Sequence, residues 1–147
     1  GMDDVTFIFL TSVYSVEFAQ AATWVGAGLY VPAEFSPYTS PEVAGNEEWR
    51  ELMEANGIPL TSFGQGGYLA AKHFIEMIES IEGEVTRESV TAAFKAQTGP
   101  YASEMTGTPW IFGPGDAHGS NTAGWPIKIE PGSDVWTTAG DDWITAD

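Results

Sequence analysis

The stretch Val5-Thr6-Phe7-Ile8-Phe9-Leu10 decides the fold class. It is a short, nearly unbroken apolar run rich in β-formers, which predicts a strand buried on both faces in a parallel sheet. After it, Thr11-Ser12-Val13-Tyr14-Ser15 reads as a polar loop, and Ser15 has the chemistry to cap a helix running through Trp24. Glu17 falls in the first turn of that helix, where the helix dipole favours an acid. Gly26 and Gly28 stop it, Leu29-Tyr30-Val31 resumes as a strand, and Pro32 is expected to end regular pairing. Residues 5 to 31 therefore form a strand-helix-strand unit with a right-handed parallel crossover, and the chain is α/β.

Outward from this unit, Pro32 to Pro41 holds three prolines and reads as a connection, with the character of a hinge. Ser40-Pro41-Glu42 predicts a helix start, with Ser at the N-cap and Pro at the first helical position. Trp49, Leu52 and Met53 give its apolar stripe, and Asn56-Gly57 its stop. Tyr68, Ala71, Phe74, Ile75, Ile78 and Ile81 recur at helical spacing, predicting the longest helix from about Gly67 to Ile81 with a broad face made to pack on a sheet. Gly83 breaks it. Thr86 caps the next helix, with Val85 and Val90 placed as a staple and Val90, Ala93 and Phe94 facing inward. Beyond Gly99-Pro100 the texture is β-like, best in residues 125–129 and 134–137, with Pro131-Gly132-Ser133 as a hairpin turn. Three to four helices and a C-terminal β-hairpin are expected.

Composition narrows the function classes. A chain of 147 residues with 43% hydrophobic and 13% aromatic residues is long enough for one domain with a real core. Its longest apolar runs fall far short of the ~20 residues that span a bilayer. Twenty-one acids against five bases leave a net charge of -16, which repels phosphate backbones, so nucleic acid is not an expected partner. With no cysteine there is no disulfide framework, thiolate metal site or thiol nucleophile. Gly1-Met2-Asp3-Asp4 carries no signal segment, so the expectation is either a cytosolic chain or one whose export segment is not part of this sequence.

Four passages, in order, carry a resemblance. They are Ala27-Gly28-Leu29-Tyr30-Val31-Pro32, then Gly67-Tyr68-Leu69-Ala70-Ala71, then Thr86-Arg87-Glu88-Ser89-Val90, and last Trp110-Ile111-Phe112-Gly113-Pro114-Gly115-Asp116-Ala117-His118. Each is short, but their order and spacing resemble the type I periplasmic-binding fold of the branched-chain amino acid receptor family, the solute receptors of ABC transporters. The last passage departs from the family's pattern by the insertion of Ala117.

The resemblance implies an incomplete type I periplasmic-binding fold, because the family's receptors are more than twice this length. Residues 1–31 would belong to the second lobe, 32–122 to the first and 123–147 to the second again. It implies a periplasmic or extracellular location, a small polar solute such as an amino acid, and an ABC transporter membrane permease as partner. A chain cut this way leaves apolar faces uncovered, which predicts a homo-oligomer that binds solute weakly by itself.

In the family the loop after the second-lobe strand touches the ligand. Here that loop offers Ser12, Tyr14 and Ser15, and Tyr68 at the entry of the long helix borders the lobe crossing; these four are the candidate ligand-binding residues. No acid for a ligand ammonium occurs between Thr11 and Ser15. Gly64-Gln65-Gly66-Gly67 reads as a helix-entry turn, with an anion cradle as the alternative; it lacks the lysine of a phosphate loop. Asp116 and His118 fall short of a metal site, His73 reads as an ordinary helical histidine, and no cofactor is implied. No nucleophile elbow or carboxylate pair suggests an enzyme. Two further classes stay open: a carbohydrate-binding module using Trp110, Trp125, Trp136 and Trp143, and an assembly domain that binds nothing.

Overall fold

A computed structural model describes residues 3–40, 43, 45–113 and 118–145. The opening run forms a strand, β1 (Phe7–Ile8), followed by a 3-10 turn at Thr11–Val13 and helix α1 (Val16–Ala21). Ser15 caps α1 by accepting the Phe18 N–H, as its position suggested. The chain returns as β2 (Leu29–Ala33), parallel to β1 with Phe7 opposite Leu29 and Ile8 opposite Tyr30. The strand-helix-strand unit and the α/β class read from the sequence both hold.

β2 then pairs antiparallel with β5 (Ala123–Ile129), and β5 carries β6 (Thr137–Thr138) and β7 (Ile144–Thr145) on its other side. Between these segments lie α2 (Glu47–Ala55), α3 (Ser62–Glu79), α4 (Arg87–Ala96) and a separate two-stranded sheet of β3 (Gly99–Tyr101) and β4 (Trp110–Phe112). Pro131 and Gly132, the latter at φ 74, form the turn after β5, closed by the Ser133 N–H on the Glu130 carbonyl. Proline sets the second turn position and glycine tolerates the left-handed third.

Alternation on β2 and β5 sorts the residues. Leu29, Val31 and Ala33, with Trp125, Ile127 and Ile129, point to one face and are buried against Tyr14, Ala19, Ala22, Val25 and Trp136. Burying each large side chain contributes about 1.5–3 kcal/mol before chain entropy is charged. The Trp136 indole N–H donates to the Ser15 carbonyl at 2.7 Å and ties the hairpin to the start of α1.

Several expectations are corrected. The opening strand is not buried on both faces: Phe7 and Phe9 turn inward to Trp24 and Phe18, while Ile8 and Leu10 are each 76% exposed. β1 lies at a sheet edge, and no layer covers its outer face among the described residues. Pro32 does not end pairing, since β2 runs to Ala33 with Pro32 directly opposite Pro126. Two residues lacking N–H groups cannot form a hydrogen-bonded pair, but at a non-hydrogen-bonded pair neither N–H is required across the ladder. The predicted hairpin strand over 134–137 is a pairing of Thr137 and Thr138 only.

The helices shift as well. Of the predicted start Ser40-Pro41-Glu42, Pro41 and Glu42 lie outside the described residues; α2 begins at Glu47, with Asn46 ahead of it, and stops at Asn56-Gly57 as read. α3 begins at Ser62 rather than near Gly67, because Thr61 caps it by accepting the Gly64 N–H at 3.0 Å. Gly64 to Gly67 are therefore helical, neither an entry turn nor an anion cradle. Gly66 brings the helix against the Phe35 ring, where an added Cβ would sit only 3.2 Å from it. Thr86 caps α4 in a reciprocal box with Ser89. Phe74, Ile75 and Phe94, predicted to face inward, are largely exposed, although Phe74 and Phe94 lie 5.7 Å apart where α3 meets α4.

A buried amide network locks the connection after β2 in place. Gln65, fully buried on α3, donates to the Ser36 carbonyl at 2.8 Å and to Asn46 Oδ1 at 2.7 Å. Asn46 in turn donates to the Pro37 carbonyl at 3.2 Å, and Arg50 of α2 reaches the Tyr38 carbonyl. The proline-rich segment is thereby satisfied by side chains instead of by a sheet.

Candidate functional site

The turn after β1 meets the start of α3 across a 51-residue separation. Thr11 Oγ1 lies 3.2 Å from Ser62 Oγ and accepts the Glu34 N–H at 3.4 Å. These contacts draw together the end of β1, the end of β2 and the first turn of α3. Between them opens a cavity of about 310 Å³ lined by Thr11, Glu34, Phe35, Ser62, Phe63, Gly66, Gly67 and Trp110. The small hydroxyl side chains and glycines leave the room, and the three aromatic rings give an apolar wall.

The electrostatics of this cavity are two-sided. Thr61 takes the Gly64 N–H, which leaves the N–H groups of Ser62 and Phe63 without an intrahelical partner, and the helix dipole gives that end a partial positive charge. Glu34 supplies a carboxylate, and the Asn121 amide bonded to the Glu34 carbonyl at 2.7 Å fixes its backbone. A cavity with a helix N-terminus, a carboxylate and aromatic rings can receive a zwitterion with an apolar substituent.

The four residues proposed from the sequence are not brought together. Ser12 is exposed on the turn but does not line the cavity, and Ser15 is occupied as the cap of α1. Tyr14 is a core residue, 2% exposed, with its ring 4.3 Å from Tyr38 and 5.3 Å from Trp136. Its hydroxyl is bonded to Thr39 at 3.0 Å, and burial pushes its pKa up to about 12. The physical reason is register: the turn exposes residue 12 and sends residue 14 beneath the sheet.

Tyr68 lies elsewhere, in a cavity of about 420 Å³ between α2, α3 and the segment after β3. There Lys72 bonds Glu48 and sits over the Tyr68 ring at 5.7 Å. The Lys72 ammonium holds the Glu48 carboxyl below its usual range, and Glu48 raises Lys72 in return.

Sequence reasoning missed Thr11, Glu34 and Ser62. The signal for Ser62 was present in Thr61, whose capping role fixes where α3 begins. Glu34 had no local signal, because its neighbourhood is made by chain segments far apart in sequence. Asp116 lies outside the described residues, and among those described no three His, Asp or Glu side chains are grouped as metal ligands. His73 stacks on Phe112, lies tilted against Tyr101 with ring centroids 3.9 Å apart, and bonds Gln97 at 2.9 Å.

No curated protein and no solved structure matches the chain. A family model described as periplasmic binding protein matches residues 1–130, a span that contains all four resembling passages and the parallel strand pair. The chain belongs to the periplasmic binding protein family.

Proposed function

We propose that the protein is part of the solute-binding component of an ABC importer for amino acids or similar small polar solutes, working outside the cytoplasm and delivering solute to a membrane permease. The observation that carries this reading is the cavity between the post-β1 turn and the start of α3, with Glu34 and the helix N-terminus at hand. Glu34 pairs with the ligand ammonium, the first N–H groups of α3 receive its carboxylate, and Phe35, Phe63 and Trp110 take the side chain. No bond is made or broken; function is capture by shape and charge. Thr11 replaces Ser12 and Tyr14 as the ligand-side residue of the turn.

The chain is read as one portion of a two-lobed receptor, with residues 1–31 and 123–147 in one lobe and 32–122 in the other. Support comes from what is left bare: Ile8 and Leu10 on the sheet, and Phe74, Ile75 and Phe94 on α3 and α4. These apolar faces favour self-association when the chain is isolated.

Calorimetry on the 147-residue chain tests the reading. Weak, millimolar binding of apolar amino acids is expected. Glu34→Gln should weaken it more for the amino acid than for its des-amino analogue. Equal affinity of wild type and Glu34→Gln would sink the proposed ammonium contact, and micromolar binding at one site per chain would sink the reading that part of the site is absent.

A further inference from the structure

A larger cleft adjoins the cavity at Thr11. It encloses about 640 Å³, about twice the volume of that cavity, and the two share Glu34 and Trp110 as lining residues. α3 and α4 supply Phe74 and Phe94, whose ring centroids lie 5.7 Å apart, and β4 supplies Trp110, Ile111 and Phe112.

The fold holds these walls in place. β4 pairs with β3 along its whole length, and Ile111 exchanges backbone hydrogen bonds with Gly119 at 2.8 and 3.0 Å. His73, also in the lining, is fixed by its bond to Gln97 at 2.9 Å and by the Phe112 ring stacked on it at 4.8 Å. Even so, Phe74, Phe94 and Ile111 stay 41, 49 and 39% exposed, so both the helices and the strand present apolar surface to the cleft. Among the described residues that line it, Glu34 alone carries a formal charge at neutral pH.

We infer that the solute is an amino acid with a large aromatic side chain, of phenylalanine or tryptophan size, whose ring lies in this cleft while its charged head is held at the Thr11 cavity. The inference rests on the reading of Glu34 and the first turn of α3 as the head-group site. An ammonium paired with Glu34 sits where the two cavities meet, and Trp110 continues from one into the other. A second charged group on the ligand would lose its water in a cleft whose one formal charge is already spent on the ammonium. An aromatic ring instead gains from burial against Phe74, Phe94 and Ile111, with offset and edge-to-face contacts open to it. A methyl side chain leaves that surface in water, and an isopropyl group covers less of it.

Saturation-transfer NMR on the 147-residue chain, with L-tryptophan, L-phenylalanine, L-valine and L-alanine as probes, tests this. Tryptophan and phenylalanine should bind at least about tenfold more tightly than alanine, with valine between, and their ring protons should receive the largest saturation. Phe74→Ala and Phe94→Ala, at exposed positions where the fold should survive, should each narrow the tryptophan-to-alanine ratio to about threefold or less. Glu34→Gln should weaken the whole panel and keep the ratio, which separates head from ring. Equal affinities across the panel would overturn the aromatic preference and leave the amino-acid reading standing, whereas a panel that does not bind would overturn both. A ratio kept in folded Phe74→Ala and Phe94→Ala would put the ring elsewhere. Equal affinities in a chain that light scattering shows to be dimeric would give the cleft to a second copy.

Discussion

On the sheet, Leu29, Val31, Ile127 and Ile129 are sealed beneath Tyr14 and Trp136; on α3 and α4, Phe74, Ile75 and Phe94 are open to solvent. Both regions carry apolar residues at the spacing their elements demand, strict alternation on β2 and β5 and three- and four-residue steps on the helices. What differs is the partner. The sheet face finds α1 and the hairpin within the chain, whereas α3 buries Leu69 and Met77 but leaves Phe74 and Ile75 without a covering layer among the described residues. Periodicity reports which face a helix would bury, and only another layer decides whether it does.

Trp49→Ala, fully buried beside the amide network, should cost about 3–5 kcal/mol in urea unfolding, as large aromatic truncations do. Phe94→Ala should cost under about 0.5 kcal/mol, like other exposed substitutions. Equal losses would mean that the helical face has a core of its own.

Gln65→Ala sharpens the boundary between the two regions, because Gln65 stands on α3 but bonds the connection after β2. Its loss strands Asn46 Oδ1 and leaves the Ser36 carbonyl only the 3.5 Å bond from the Asn46 amide, and should cost about 1–3 kcal/mol. A third test uses alkali. Tyr14 is raised from 10.0 to about 12 by burial, and Tyr38 is raised further in the same direction. Above pH 10 the unfolded chain releases protons that the folded chain retains, so stability present below pH 10 should be lost progressively toward pH 12. Urea midpoints followed alongside tyrosinate absorbance check the sign; a midpoint rising through that window would contradict it. The smallest effect is the double variant Phe74→Ser, Phe94→Ser, which should leave stability within about 0.5 kcal/mol yet reduce self-association in light scattering. Unchanged association would move the sticky surface to Ile8 and Leu10.

Local chemistry was legible and long-range assembly was not. Ser15, Thr86 and Gly57 announced helix ends correctly, since a cap depends on residues within one turn. The start of α2 was misplaced because Asn46 spends its amide on Gln65 and the Pro37 carbonyl, partners nine or more positions away. Glycines at 64 and 66 look like a loop in sequence but serve helix packing against Trp49 and Phe35. For the candidate site, the turn after β1 was identified, yet the residue that reaches the cavity is Thr11, one position before the exposed hydroxyl of Ser12. Glu34 and Ser62 join it only through the fold.

The facing prolines of β2 and β5 have a consequence for how the molecule resists disorderly growth. β1 pairs with β2 only at Leu29 and Tyr30, and beyond them the edge is met by the Thr11–Val13 turn, whose Thr11 hydroxyl takes the Glu34 N–H, rather than by a strand. The Tyr30 carbonyl faces that edge, bonded by the Phe9 N–H, and by alternation the next outward position is Pro32. At the one outward position where an open edge would present an N–H to a foreign chain, there is none. Where β2 runs past its partner, the chain thus carries a residue that starves fibril-like extension of its first hydrogen bond.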